Sequence, residues 1–407
     1  MNYVAQRPSV VIIVGAPFMK RVSVFAGAAV LSILAAPGLS ETLHDVAVAP
    51  DESPESAPEK SAEPLVELGA SLGYNTELGV VAGARVGTDR LFGRNQSLDL
   101  TIEASEETLR YSAQYAAPDL FGEQPSFGLR LFAAQVERGD VFDFDSNVLG
   151  VEPRLTWKLD EGLSVSTFAT FSWGEIDNLR AGSSNLIRKD VGTRAQQVIG
   201  VDVKRRKPGK GGALRGVSYG LGLEAGHSDM GHDYLSLSAR YGAGWVAGAE
   251  DNVLLKMQLR GSAIASLDGT SHIGDRTFLG QSSLRGFAFG GIGPRDLSVA
   301  TQPALGGNYS TTAQFDAQFR DAFDAVSERI TPGVFVDFGS LWGLDDTRGG
   351  VAGGQRVDDG FNLRASGGVT FRLDTGMGPI LLSIAQPILK ESYDEVQEFS
   401  ISYQTSF

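Results

Sequence analysis

From residue 65 to the end, apolar side chains recur at every second position, and no stretch holds the 3.6-residue spacing of a helix. Leu98, Leu100 and Ile102 alternate with Asp99, Thr101 and Glu103, and Leu109, Tyr111, Ala113 and Tyr115 alternate with Arg110, Ser112 and Gln114. Leu163, Val165, Ala169, Phe171 and Trp173 share one parity; Val253, Leu255, Met257 and Leu259 oppose Lys256, Gln258 and Arg260. Leu363, Ala365, Val369, Phe371 and Leu373 oppose Arg364, Ser366, Thr370 and Arg372. Strict alternation makes half-buried strands. A soluble sandwich alternates too, but here the polar faces carry Arg, Lys, Asp and Glu in mid-strand, which fits lipid outside and a wet interior. An open sheet edge does not survive in lipid, so such a sheet must close. The stretch 65–407 divides into about sixteen units of about 21 residues, matching tilted strands of about 9–11 residues plus connections. The expected fold class is all-β: a transmembrane antiparallel β-barrel of about sixteen strands.

An even strand number puts both ends of the barrel on one side. A secreted amino terminus makes that side periplasmic, and the connections then alternate. The long ones, 174–194, 264–305, 341–360 and 387–398, are expected outside; short ones such as 88–95 and 374–377 face the periplasm. The basic run Lys204-Arg205-Arg206-Lys207-Pro208-Gly209-Lys210 falls on a periplasmic turn by this count and reads as a solvated hairpin tip, with contact to an acidic partner as the alternative.

The amino terminus reads as targeting sequence. Met19-Lys20-Arg21, the apolar run 22–36 and Gly38-Leu39-Ser40 have the three parts of a secretory signal, so residues 1–40 are an upstream extension plus signal peptide with Met19 as the start. Residues 41–64 are rich in Pro, Ala and Glu, have no aromatic residue, and are expected to be a disordered tether before a barrel over 65–407. The 407 residues include no cysteine, which excludes disulfides and thiolate metal sites. The formal charge of −14 argues against nucleic acid as a partner. Outer-membrane lipids are the partner a barrel wall requires.

The connection 264–305 is long, glycine-rich and without periodicity, a combination that is usually functional. At its centre stand Ser283-Leu284-Arg285-Gly286-Phe287 and then Gly291-Ile292-Gly293-Pro294-Arg295-Asp296. With Phe278-Leu279-Gly280 before them, 304–309 after them, the run 335–342 and Gly378-Pro379-Ile380, these strings resemble the BamA/TamA outer-membrane assembly superfamily, and the BamA type more than the TamA type. The family's usual signature is valine-arginine-glycine followed by phenylalanine or tyrosine; Leu284 stands in place of the valine. The resemblance implies that the loop folds back into the lumen and that Arg285 meets Asp316 and Asp337. Parity agrees: with Val334, Val336, Phe338 and Phe315 outward, both aspartates point inward. It also implies a weak lateral seam between the first strand, with Leu68, Gly69 and Gly73, and the last, from Phe399 to Phe407, where unfolded outer-membrane protein clients add by edge pairing. Members of the family carry periplasmic POTRA domains before the barrel. Residues 41–64 are too few for one, so accessory lipoproteins that dock there are not expected.

Three enzyme-like spellings carry no chemistry. Gly216-Val217-Ser218-Tyr219-Gly220 lies within an alternating strand, not at a strand-to-helix turn. Gly220-Leu221-Gly222-Leu223-Glu224-Ala225 lacks a following helix. His227 and His232 bracket a turn and read as surface-loop residues. The expectation is a bacterial outer-membrane insertion factor with no catalytic residue, metal or cofactor. The alternative is a passive or secretion-type pore plugged by 264–305.

Overall fold

The computed structural model describes residues 66–75, 79–91, 95–137, 142–209, 213–248, 250–320, 322, 329–375 and 378–406. The expected signal peptide with Met19, the tether 41–64, and Phe407 of the seam lie outside the described residues. In chain order the elements are β1 (Glu67–Asn75), β2 (Gly79–Thr88), β3 (Ser97–Ala104), β4 (Thr108–Ala117), β5 (Ser126–Val136), β6 (Asp145–Asp160) and β7 (Leu163–Asp177). A one-turn helix α1 (Asn185–Arg188) precedes β8 (Gly192–Pro208), β9 (Leu214–Ser228), β10 (His232–Ala247) and β11 (Val253–Asp268). Then come β12 (Gly286–Phe287), β13 (Tyr309–Phe319), β14 (Ile330–Trp342), β15 (Arg348–Gly349), β16 (Gln355–Arg356), β17 (Arg364–Thr375), β18 (Gly378–Leu389), β19 (Val396–Gln397) and β20 (Phe399–Ser406).

Sixteen of the described strands close into one antiparallel barrel in the order β1 to β11, β13, β14, β17, β18 and β20, with β20 paired back onto β1. The expected strand number and closure are therefore what the chain adopts. Alternation decides the faces. Leu149, Ile199, Leu221, Leu237, Val334 and Val336 point outward and are exposed, while their neighbours Glu152, Val198, Ser166 and Thr370 are buried toward the lumen. Aromatic residues mark both rims of the apolar band. At one end Trp342 stacks on Tyr309 and meets Phe361 edge-on, with centroids 5.9 and 4.9 Å apart, and Tyr115, Phe127 and Phe121 meet at the other at 6.4 and 6.2 Å. Such paired girdles sit at the two membrane interfaces.

The rim with the start of β1 and the end of β20 has the short turns and is periplasmic; the long connections gather at the other rim, as the alternation requires. Boundaries differ from expectation in three places. β11 runs on to Asp268, so the long connection spans 269–308. β7 runs to Asp177 and a helical turn interrupts the next connection, with Ser184 accepting the Leu186 N–H as its N-cap. Of the basic run expected as a hairpin tip, Lys204 to Pro208 are instead the end of β8, paired with β7 and β9, and Lys210 lies outside the described residues. A strand reaching past the membrane into water needs no apolar face there, so alternation alone does not mark its end.

The extracellular connections build their own core. Phe142 and Phe144, Ile176, Leu186 and Ile187 pack with Ile273, Phe278 and Leu305 into a dome over the barrel. Inside the wall, the tips of aromatic rings occupy the side-chain space of glycines on the neighbouring strand: Phe132 at Gly150 and Phe168 at Gly200. Arg130 and Arg154 stack on those same rings at 4.9 and 4.3 Å. A side chain at Gly200 would strike the Phe168 ring directly. Gly200→Val is expected to lower the unfolding free energy by about 1–3 kcal/mol, as overpacking does. Urea denaturation in detergent measures this, and adding Phe168→Leu should recover part of the loss.

Candidate functional site

Leu284, Arg285, Gly286 and Phe287 sit inside the barrel, as expected. Leu284 and Phe287 are fully buried against Leu279, Ile292 and Leu341, so the loop is held to the wall by its own small apolar core. Gly286 has φ +90°, and a Cβ there would lie 3.2 Å from Ser366 Cβ and 3.3 Å from Ala385 Cβ. Glycine satisfies both the backbone angle and the close approach to β17 and β18. Gly286 and Phe287 form β12, which pairs antiparallel with β19 in the connection between β18 and β20.

This seating delivers Arg285 to the two aspartates. Its Nε and Nη2 donate to Asp337 Oδ2 and Oδ1 at 2.8 and 2.6 Å, and its Nη1 donates to Asp316 Oδ1 at 2.6 Å. Its backbone N–H also donates to Asp337 Oδ2 at 3.0 Å, and the Ser366 hydroxyl donates to its carbonyl. The guanidinium carbon lies 3.8 Å from the centre of the Phe335 ring. Asp337, on β14, is wholly buried, whereas Asp316, on β13, retains some exposure. The arrangement is a bidentate clamp with one extra carboxylate, a geometry that lysine does not reproduce.

Further fastenings were not legible in the sequence. Arg364 at the head of β17 makes two 2.8 Å bonds to the buried Asp394, next to β19. Arg295 contacts Glu395 at 2.7 Å. Asp296 accepts from Ser184 Oγ at 2.5 Å and from the Gly350 N–H at 2.6 Å, tying three extracellular connections together. Asp275 accepts from Arg194 Nη2 at 2.5 Å and Gln196 Nε2 at 2.7 Å, and lies 3.0 Å from His232 Nδ1. His232 is therefore not a surface-loop residue as expected: it is 3% exposed, because the long connection folds down over the head of β10. His227 is exposed and pairs with Asp233 at 2.6 Å. The two decoy strings over 216–225 lie within β9. Among the described residues, no group of three or more His, Asp or Glu side chains is placed to hold a metal ion.

At the seam, β1 and β20 are hydrogen-bonded, with Gly69 opposite Ser406 and Asn75 opposite Ser400. Leu68 is exposed on the outer face, and Gly69 and Gly73 lie in the paired stretch. Phe399 pairs with Ile384 of β18 at the extracellular root of β20. β1 has 9 residues and β20 has 8, against 15 to 17 in β6 to β11, so the barrel closes between short strands, on the side that also holds the 8-residue β3.

Residues 90–407 match the Omp85 superfamily domain. The chain belongs to the Omp85 superfamily. It is 23% identical over 387 residues to the outer membrane protein assembly factor BamA of Neisseria meningitidis, covering 84% of this chain and 47% of the relative. It thus spans about half the length of that relative. The fold is that of BamA from Haemophilus ducreyi lacking POTRA domains 1–3, with a TM-score of 0.69, 19% identity, and coverage of 84% of this chain and 70% of the other. CdiB from Acinetobacter baumannii follows at a TM-score of 0.58 and 14% identity, covering 84% and 60% of the two chains. This Omp85 chain is an outer-membrane barrel similar in sequence to BamA and sharing its fold with BamA and CdiB, and its place is the bacterial outer membrane.

Two outcomes follow for this Omp85 barrel. Asp337→Asn leaves the Arg285 charge buried with half its partners and is expected to cost about 3–5 kcal/mol. Asp316→Asn should cost clearly less, because that carboxylate is partly solvated. Urea unfolding followed by heat-modifiable gel migration ranks them, and equal losses would show that Asp337 is not the dominant anchor.

The dome predicts a pH response. Burial opposes the charge on Asp275, but Arg194 and the His232 hydrogen bond hold its carboxyl well below the usual carboxylate range. Burial pushes the His272 imidazole down, and Arg194 adds to this against the opposing pull of Asp190 and Asp275. Both groups sit below their unfolded values, so both contributions are complete at neutral pH and are lost on acidification. The His272 part fades below about pH 6.5 and the Asp275 part below about pH 4. Hydrogen exchange over 269–277, corrected for intrinsic rates, should show weaker protection at pH 5 than at pH 7.5.

Proposed function

We propose that this barrel assists the insertion or assembly of outer-membrane proteins through the seam between β1 and β20. The observation that carries the reading is the seam itself. Two short strands of the barrel, of 9 and 8 residues, meet there over a stretch that includes Gly69 and Gly73, which bring no side chain to the cross-strand pairing. Parting of β1 from β20 exposes two strand edges to which a client strand adds by backbone pairing. A short wall also leaves a mismatch with the surrounding bilayer, which thins to meet it. The partners on this reading are unfolded outer-membrane protein clients and the lipids around the seam. The Arg285 clamp holds the long connection against β13, β14 and β17 on the far side of β18 from the opening, so these strands stay rigid while the seam parts. No catalytic residue is needed, since pairing energy drives the process.

The clearest test locks the seam. Leu72 stands opposite Tyr403. In a chain with no cysteine, Leu72→Cys with Tyr403→Cys gives a single disulfide. In proteoliposomes the oxidised protein should lose the insertion of client barrels and regain it on reduction. Undiminished insertion by the locked protein would overturn the seam reading. The fold shared with CdiB motivates the second reading, a secretion-type or passive pore plugged by the long connection. That reading expects a large steady conductance in planar bilayers that rises with Arg285→Ala and is unaffected by the lock.

A further inference from the structure

The outer wall of the barrel is not uniformly smooth. On the extracellular half of β4 to β7 it carries a groove of about 390 Å³, within the roughly 300–1,000 Å³ of small-ligand sites. Strand register explains the hollow. Tyr111, Ala133, Leu149 and Trp173 follow one another across four neighbouring strands, and all four share the outward parity. Tyr111 and Leu149 are exposed on that face. The small Ala133 sits between larger neighbours, so the wall dips there and Tyr111 and Trp173 flank the dip. One alternate position nearer the extracellular end, Gln135, Asn147 and Glu175 form the next outward row, exposed and polar. Among the described residues, these three side chains make no hydrogen bond or ion pair, and no lysine or arginine lines the groove. One alternate position nearer the periplasm, Leu131, Val151 and Phe171 continue the apolar face. The groove therefore straddles the line at which the apolar band gives way to polar side chains. That is the level of lipid headgroups, where Trp and Tyr gather.

We propose that this groove seats one lipid of the outer leaflet, and that the headgroup it takes is a neutral sugar. The side chains select the chemistry. With no cation in the lining and a carboxylate, Glu175, in its polar row, the groove disfavours a phosphate. A lone ammonium fits poorly as well. Tyr111 and Trp173 lie three strand spacings apart, about 14 Å, whereas an ammonium cage needs each ring within about 6 Å of the charge. A sugar supplies what remains. Its C–H faces cover aromatic side chains, and its vicinal hydroxyls, donors and acceptors at once, match the amides of Gln135 and Asn147 and the carboxylate of Glu175. The apolar face of Leu131, Val151 and Phe171 takes the acyl chains, which makes the occupant a lipid rather than a free saccharide. The inference concerns the lipid-facing wall and holds whether or not the seam opens.

The test uses the full chain, purified in a detergent without a sugar headgroup. It is offered equal amounts of diglucosyl diacylglycerol, phosphatidylethanolamine and phosphatidylglycerol with matched acyl chains, and native mass spectrometry counts what stays bound. The expected result is one diglucosyl lipid per barrel, preferred about tenfold or more over either phospholipid. Ala133→Phe fills the hollow and should abolish the preference. Asn147→Ala with Glu175→Ala removes polar contacts and should lower it about tenfold. All three positions face outward, and heat-modifiable gel migration checks that each variant folds. A diglucosyl preference that survives Ala133→Phe would overturn the proposal, as would equal retention of the three lipids. A preference for phosphatidylethanolamine that Glu175→Gln removes would overturn it in favour of an ammonium headgroup. Displacement of the lipid by millimolar maltose would overturn it in favour of a soluble saccharide.

Discussion

Every backbone amide in the wall must be paired, because hydrocarbon offers no other partner. The rest of the molecule depends on this constraint. It forces β20 back onto β1 and leaves that junction as the only place where a chain-remote pairing holds two short strands together. Elsewhere each strand is joined to its neighbour by a covalent connection. The seam has no such connection and is held by strand pairing, in a stretch with two glycines and with five positions paired between β18 and β20 on its other side. On the seam reading proposed above, this is the line at which the barrel parts.

The interior shows the complementary solution. Charges that lipid forbids outside are placed inside, where they pair in ladders such as Arg130, Glu152, Arg154 and Asp202. The long connection completes this system by supplying Arg285 to Asp337 and Asp316. Buried ion pairs of this kind contribute little net stability but tolerate no loss of a partner. They therefore fix where the loop sits more than they strengthen the barrel. The same logic recurs at Arg364 with Asp394 and at Arg194 with Asp275, both buried and both joining an extracellular connection to the wall. The apolar dome over the outer end, centred on Phe142, Ile187 and Phe278, closes what the ion pairs position.

The clamp and the seam meet in one segment. β19, which pairs with the signature residues Gly286 and Phe287, lies just before β20. Asp394 and Glu395 beside it are held by Arg364 and Arg295. The extracellular root of the last strand is thus fastened to the long connection, while its other end has only β1 and β18.

The period of two, with charges in mid-strand, determined by itself that the chain would close into a membrane barrel, and it determined which side chains face lipid. A one-residue slip would put Asp337 in hydrocarbon, so parity specified the inward aspartates before any coordinates. The spelling around Arg285 named the residue that meets them. Strand ends were not legible, because β8 and β11 outlast the apolar band and continue in water, where alternation has no energetic meaning. Nor were the partners of Arg194, Asp275, His232 and Asp296, since each contact joins segments far apart in the chain and no local pattern encodes the distance between loops. Only the folded dome, by excluding water from those charges, decided which of them would pair.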